Sequence, residues 1–316
     1  MGMPFFCYLR SVMEKFELNI LGCGSALPTT RHLPTSQVVN LRDKLYMIDC
    51  GEGTQRQWRK SRLKFSRLNH IFISHLHGDH CFGLPGLIST LGLLGRTAEL
   101  HIYSPKGLQE LLSPILSFFC RELGFQVIFH EFDTKQPTMI FEDRSMTVTT
   151  IPMKHRIPCC GFLFEEKALS NHINREMVDF YQVPVHLLNR IKNGEDYVNP
   201  EGVVIPNSRL TYPAAPPRKY AYCSDTIYKR GIIEQITGVD LLFHEATFAQ
   251  SELARAKETY HTTAAQAAQI ASDAGVKKLI IGHFSARYDD VKILLIEASA
   301  VFPNTILANE TLCISI

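Results

Sequence analysis

His75-Leu76-His77-Gly78-Asp79-His80 places three imidazoles and a carboxylate within six residues, directly after the apolar run Asn69-His70-Ile71-Phe72-Ile73-Ser74. That run is β-branched and aromatic, so it reads as a strand, and the six residues fall on the loop where the strand ends. So many ionisable groups are costly to bury without a partner. Imidazole nitrogen and carboxylate oxygen are ligands that zinc and other first-row ions accept. Gly78 is expected to turn the loop sharply, so that His75 and His77 face one ion while Asp79 and His80 face a second.

One loop cannot complete two metal sites, so further ligands are expected downstream. His155 in Met153-Lys154-His155-Arg156, Asp225 in Cys223-Ser224-Asp225-Thr226 and His283 in Ile281-Gly282-His283-Phe284 each follow an apolar strand. Strand ends are where α/β folds place functional groups. The expected sets are His75, His77 and His155 for one ion, Asp79, His80 and His283 for the other, with the two oxygens of Asp225 bridging.

Outward from these residues, strand and helix patterns alternate. Phe16–Leu21, Ser36–Leu41 and Lys44–Asp49 read as strands, as do stretches around 100–103, 146–151, 161–164, 219–223, 241–243 and 278–281. Helices are expected over 84–94, 108–121, 260–274 and 291–300, which indicates a layered α/β domain. A polar, proline-dotted stretch over 165–218 breaks the pattern and reads as a surface insertion rather than a separate folded unit. Residues 1–15 read as a dispensable N-terminal extension and 16–316 as the main domain.

The chain has 316 residues, of which 45% are hydrophobic, enough for a large core. No apolar run reaches membrane-span length, so no membrane partner is expected. Nine scattered cysteines without a CxxC pair read as reduced thiols of a cytoplasmic protein. The net charge of +2 is too small to announce a nucleic-acid partner, so any such case must be local. Arg56, Arg59, Lys60, Arg62, Lys64 and Arg67 provide one: six cations in twelve residues, with Trp58 among them. Such a stripe could hold RNA phosphates.

Several motifs together resemble the ribonuclease Z family of the metallo-β-lactamase superfamily. They are Leu21-Gly22-Cys23-Gly24-Ser25-Ala26-Leu27-Pro28-Thr29, Asp49-Cys50-Gly51-Glu52-Gly53-Thr54-Gln55, the His75–His80 hexamer running on to Gly86, His244-Glu245-Ala246-Thr247-Phe248, His261-Thr262-Thr263-Ala264 and His283-Phe284-Ser285-Ala286-Arg287-Tyr288. The resemblance implies a four-layered αββα sandwich with a surface arm at about 165–210. It implies two zinc ions per chain, with manganese as the alternative, and a zinc-dependent phosphodiesterase that removes the 3′ trailer from precursor tRNA. Asp79 is implied as the proton acceptor and His261, at the start of a helix, as the proton donor to the leaving group. His244 and Glu245 are expected to orient the metal ligands. A homodimer is also implied. The arm departs from the family pattern: it lacks a Gly-Pro motif, and residues 165–196 hold six acids against four bases. The alternative activity is hydrolysis of other small or cyclic phosphodiesters.

Overall fold

The computed structural model describes residues 14–316. All but Glu14 and Lys15 of the expected N-terminal extension lies outside the described residues. Strands β1 (Phe16–Gly22), β2 (Ser36–Leu41), β3 (Lys44–Ile48), β4 (Leu68–Phe72), β5 (Leu100–Pro105) and β6 (Val127–Phe132) build the first sheet. Helices α1 (Thr54–Lys60), α2 (Gly78–Cys81), α3 (Leu84–Leu93) and α4 (Leu108–Phe119) lie between them in sequence. Then come β7 (Met139–Glu142), β8 (Met146–Pro152) and β9 (Cys160–Glu166).

Residues 166–218 form a compact unit of their own. It carries helices α5 (Arg175–Phe180), α6 (Leu188–Lys192) and α7 (Asn207–Leu210), with strand β10 (His172–Ile173) paired to β13 (Thr211–Tyr212) and β11 (Tyr197–Val198) to β12 (Val204–Ile205). Val178, Val183, Ile191, Tyr197, Ile205 and Leu210 bury one another at its centre. The sequence reading of this stretch as a segment without its own fold is therefore corrected. Its apolar side chains are single residues spaced among polar ones, so no periodic run betrays the small core they make.

The chain continues through β14 (Lys219–Cys223), β15 (Leu241–Glu245), α8 (Leu253–Thr259), α9 (Ala264–Asp273), β16 (Leu279–Gly282), α10 (Lys292–Val301), β17 (Thr305–Leu307) and β18 (Cys313–Ser315). The first sheet runs β18-β1-β2-β3-β4-β5-β6 and the second β17-β16-β15-β14-β9-β8-β7. Both are mixed: β3 to β6 are parallel, and so are β14 to β17, while the flanking pairs β18-β1, β1-β2, β2-β3, β14-β9 and β7-β8 are antiparallel.

The alternation of side chains sorts each sheet's residues onto two faces. Ile20, Ile48 and Phe72 of the first sheet meet Phe162, Phe164 and Tyr222 of the second in one core, with Phe72 edge-on to Phe164 at 5.5 Å between centroids. Val38, Met47 and Ile71 point the other way, onto Trp58, Leu87 and Leu112 of α1, α3 and α4. Alanines 264, 267, 268 and 271 let α9 lie against β15 and β16 on the opposite side. The layers are thus α, β, β, α, as the resemblance implied. The ends of β4, β8, β14, β15 and β16 carry the residues of interest.

Candidate metal centre

The structure brings all seven expected donors together. The Nδ1 of His77 lies 3.0 Å from His75 Nε2 and 3.2 Å from His155 Nε2. Asp225 Oδ2 is 3.5 Å from His75 Nε2 and 3.6 Å from His155 Nε2. The other oxygen of Asp225, Oδ1, lies 3.3 Å from His80 Nε2 and 3.1 Å from His283 Nε2. Asp79 Oδ2 sits 3.4 Å from each of those two nitrogens. A tetrahedral ion with ligands at about 2.0–2.1 Å holds neighbouring donors roughly 3.3–3.4 Å apart. Both quartets have that spacing, and Asp225 offers one oxygen to each. The Nε2 atoms of His80 and His283 are also buried without a hydrogen-bond partner. Buried polar atoms left unpaired carry a cost that a bound cation removes. The residues present therefore fit two cations.

The loops that deliver these donors are held in demanding backbone conformations. Asp225 has φ 23° and His283 φ 60°, in the left-handed region that non-glycine residues rarely occupy. Gly78 is not among the residues with positive φ, so it does not serve as the conformational hinge expected of it. A Cβ there would stand 2.3 Å from the Phe82 ring, so what the position demands is space.

Each donor imidazole whose second nitrogen turns inward hydrogen-bonds a protein oxygen with it, which fixes tautomer and ring orientation. His80 Nδ1 donates to Asp49 Oδ2 at 2.7 Å, His75 Nδ1 to Ser74 Oγ at 3.0 Å, His155 Nδ1 to the Tyr260 carbonyl at 3.1 Å and His283 Nδ1 to Thr247 Oγ1 at 2.9 Å. Asp49 also receives the Ser74 and Tyr222 hydroxyls and the Ser74 amide. In the sequence, Asp49 and Thr247 stand out only as members of motifs, with no role of their own. The available signal was the position of Asp49 at the end of an apolar strand neighbouring the one that leads into the hexamer.

The electrostatics agree with the geometry. Burial lowers the pKa of His75, His77 and His155, leaving neutral rings with a lone pair to give. Burial alone would raise Asp225, but the surrounding His283, His80 and His75 hold it well below the usual carboxylate range. His80 is pushed the other way: against its burial, Asp79, Asp49 and Asp225 raise it well above an ordinary histidine. Three carboxylates around one ring mark a place built for positive charge.

His261 stands beside this cluster, its ring 5.3 Å from that of His283 and 5.2 Å from that of His155. Its Nδ1 donates to Glu245 Oε1 at 3.0 Å. Burial opposes the charge on His261, but the fully buried Glu245 carboxylate wins and raises its pKa to about 9. The helix expected over 260–274 begins later, at Ala264, where Thr263 and Gln266 form a reciprocal cap. His261 therefore lies on the link after α8 and not at a helix start, because Tyr260 turns left-handed at φ 60°. Glu245 also reaches the donors through its other oxygen. Oε2 accepts from the Thr247 hydroxyl at 2.6 Å, and that hydroxyl in turn meets His283. His244 differs from the expectation. Its Nδ1 donates to the Glu245 carbonyl at 2.8 Å, and among the described residues no hydrogen bond or ring contact joins it to the donors. The strand's alternation turns it away from the side on which Glu245 works.

A cleft of about 630 Å³ opens over Asp79, His155, Asp225, His261 and His283. Its cations are Arg156, Arg255 and Arg287, none of which the sequence reading selected. The six expected cations, Arg56, Arg59, Lys60, Arg62, Lys64 and Arg67, line none of this cleft. Trp58 in their midst is fully buried, stacks on Phe65 and donates Nε1 to the Leu63 carbonyl at 2.8 Å, so it belongs to the core.

Residues 16–178 match the family model described as anti-Pycsar protein Apyc1. A protein of Bacteroides fragilis (strain YCH46) named ribonuclease Z is 79% identical over 304 residues, which cover 96% of this chain and 100% of that protein. The chain belongs to the ribonuclease Z family. A ribonuclease Z of Bacteroides thetaiotaomicron is 75% identical over 96% of both chains. Among solved structures, the short form of human tRNase Z aligns with a TM-score of 0.69 at 27% identity, covering 95% of this chain and 99% of that one. The family accounts for the fold and for an enzyme that hydrolyses phosphodiester bonds. Of the motifs through which the chain resembles the ribonuclease Z family, the hexamer and the stretch from His283 supply His75, His77, Asp79, His80 and His283 to the donor quartets, and those at 244–248 and 261–264 supply the His261–Glu245 pair.

Proposed function

We propose that this chain is a metal-dependent endoribonuclease that removes the 3′ trailer from precursor tRNA. The observation that carries the reading is the paired donor geometry, in which Asp225 presents one oxygen to each of two quartets beside the His261–Glu245 pair. His75, His77 and His155 would hold one ion, Asp79, His80 and His283 the other, and Asp225 both. Zinc suits these nitrogen and oxygen donors best, with manganese as the alternative, and such a pair supplies a water nucleophile at neutral pH and neutralises phosphoryl oxygens.

The chain's own residues do the rest. Asp79 reaches the cleft, where its carboxylate can orient the attacking water and accept its proton. The bond that breaks joins phosphorus to the ribose O3′, and the departing oxygen needs a proton. His261 is bound through Nδ1 to Glu245, which leaves Nε2 to deliver one. Its raised pKa keeps that proton in place at neutral pH. Arg156, Arg255 and Arg287 on the cleft wall are suited to the phosphates nearest the cut, and the Arg56–Arg67 group to phosphates outside it.

The reading includes a homodimer. Leu111, Ile115, Phe118 and Phe119 on α4, with Leu93 and Leu94 at the end of α3, expose a run of large apolar side chains. Apolar patches of this kind mark protein interfaces. The eight cysteines among the described residues are free thiols, which fits a reducing compartment such as the cytoplasm.

The test is purified protein offered precursor tRNA and bis(p-nitrophenyl) phosphate, each with and without a chelator. Chelator-sensitive release of the trailer is the expected result. Turnover of the small ester alone would replace tRNA by a small phosphodiester as substrate, and binding of RNA without turnover would remove the catalytic reading.

A further inference from the structure

A second group of metal-type ligands lies outside the cleft cluster. Cys23 Sγ, His32 Nδ1 and Glu310 come from the end of β1, the turn at 29–34 and the link between β17 and β18. Sγ lies 3.3 Å from Nδ1 and 3.6 Å from Glu310 Oε1, while Nδ1 lies 3.2 Å from Oε2 and 3.3 Å from Oε1. As hydrogen bonds these contacts are poorly used. The single proton of Nδ1 serves the carboxylate, and the thiol keeps long contacts to Oε1 and, at 3.5 Å, to the Ala308 carbonyl. As edges of a coordination tetrahedron they are well used. A zinc ion with sulfur at about 2.3 Å and nitrogen or oxygen at about 2.0–2.1 Å sets its donors roughly 3.3–3.6 Å apart.

We infer that Cys23, His32 and Glu310 form a third metal site, for a thiophilic divalent cation of the zinc class. Binding releases the Cys23 thiol proton to solvent and takes the lone pair of Nδ1, the ring proton moving to Nε2. A cavity of about 260 Å³ reaches His32 and Glu310, so water can complete the fourth position. Arg31, Arg56 and Lys60 line the same cavity, which favours water or a small anion there over another cation.

The site has a structural consequence for the cleft. The Phe284 amide donates to the Cys23 carbonyl at 3.0 Å, and the Ser25 amide to the Phe284 carbonyl at 3.1 Å. The Phe284 ring lies 5.6 Å from that of His32. An ion held by Cys23, His32 and Glu310 therefore pins the segment that follows His283. Glu310 is already anchored there, its Oε1 accepting from the Leu33 amide at 2.9 Å and its backbone carbonyl from Gln57.

Cobalt substitution tests the site without relying on turnover. The cleft quartets contain only histidine and aspartate, so a thiolate-to-cobalt charge-transfer band can arise only from a cysteine site. The purified full chain, stripped and reloaded with cobalt, should show that band, and Cys23→Ala should lose it together with one metal equivalent per chain. Glu310→Gln keeps an acceptor for the Leu33 amide and should fold as the parent does by circular dichroism, yet bind that equivalent at least about 10-fold more weakly. Absence of the band in the parent chain, or its survival in Cys23→Ala, would overturn the inference.

Discussion

Asp49 grips the ring of His80 from behind: its Oδ2 lies 2.7 Å from His80 Nδ1, and both side chains are fully buried. The same carboxylate takes the Tyr222 hydroxyl at 2.6 Å and the Ser74 amide at 2.7 Å. It thereby ties the hexamer's last histidine to β14, the strand that leads into Asp225. Asp49→Asn keeps the shape but removes the charge, so His80 becomes a weaker ligand and is less firmly aimed. Metal affinity or turnover should fall about 10–100-fold while the fold persists. Metal titration of the stripped protein, with circular dichroism alongside, checks this; parental affinity in the variant would show that the contact does not tune the site.

His261 and Asp79 should separate by leaving group. His261→Ala should slow cleavage of precursor tRNA by about 10²–10⁴-fold. It should leave bis(p-nitrophenyl) phosphate nearly untouched, because nitrophenolate departs without a proton. Asp79→Ala should impair both substrates, since the attacking water is common to them. Kinetics of the two variants on the two substrates decide the roles, and equal slowing of both substrates by His261→Ala would take proton donation away from that residue.

The donors were readable because they sit on strand ends, where residue type and position speak together. His75, His77, Asp79, His80, His155, Asp225 and His283 needed only counting against what two ions require. Asp49 and Thr247 were not readable in that way, since an acid or a hydroxyl at a strand end reveals its partner only when a second strand is brought beside it. The Cys23–His32–Glu310 group joins residues 287 positions apart, a distance that no local pattern spans. The cations that line the cleft escaped notice for a related reason. A run such as Arg56–Arg67 is conspicuous in sequence, whereas Arg156, Arg255 and Arg287 are single residues gathered by the fold.

His70 should make the protein acid-sensitive. Its ring lies between His101 and Phe141, with centroids 5.2 and 4.6 Å away, and its Nδ1 has no hydrogen-bond partner. Burial lowers its pKa to about 4, with His101, His130 and Lys44 adding to the effect and Asp143 opposing it. In the unfolded chain the group titrates near 6.5. Between these values the unfolded state binds a proton that the folded state refuses. Stability is therefore full above about pH 6.5, falls as the pH drops towards 4, and levels off below. The loss amounts to about 2–3 kcal/mol after allowance for partial solvent screening. His70→Phe keeps the packing and removes the titration, so its urea midpoint should fall less than the parent's between about pH 7 and pH 4.5. Parallel losses in both proteins would place the acid sensitivity elsewhere.

The α4 face and the cleft wall make opposite demands on salt, which allows them to be told apart. Phe118 and Phe119 are 64% and 75% exposed, and burying them against a second copy draws on the hydrophobic effect, which salt does not screen. Phe118→Asp should therefore shift sedimentation from dimer to monomer at any ionic strength, and an unchanged oligomer would move the interface off α4. Arg255 is exposed on the cleft wall, and the structure gives its guanidinium no hydrogen-bond or ion-pair partner among the described residues. Arg255→Ala should raise KM for precursor tRNA, leave the small ester unaffected, and reduce the slope of log affinity against log salt by about 1, the contribution of one phosphate contact. An unchanged slope would mean that RNA phosphates pass the cleft without touching this residue, and the cations of α1 would then be the next to replace.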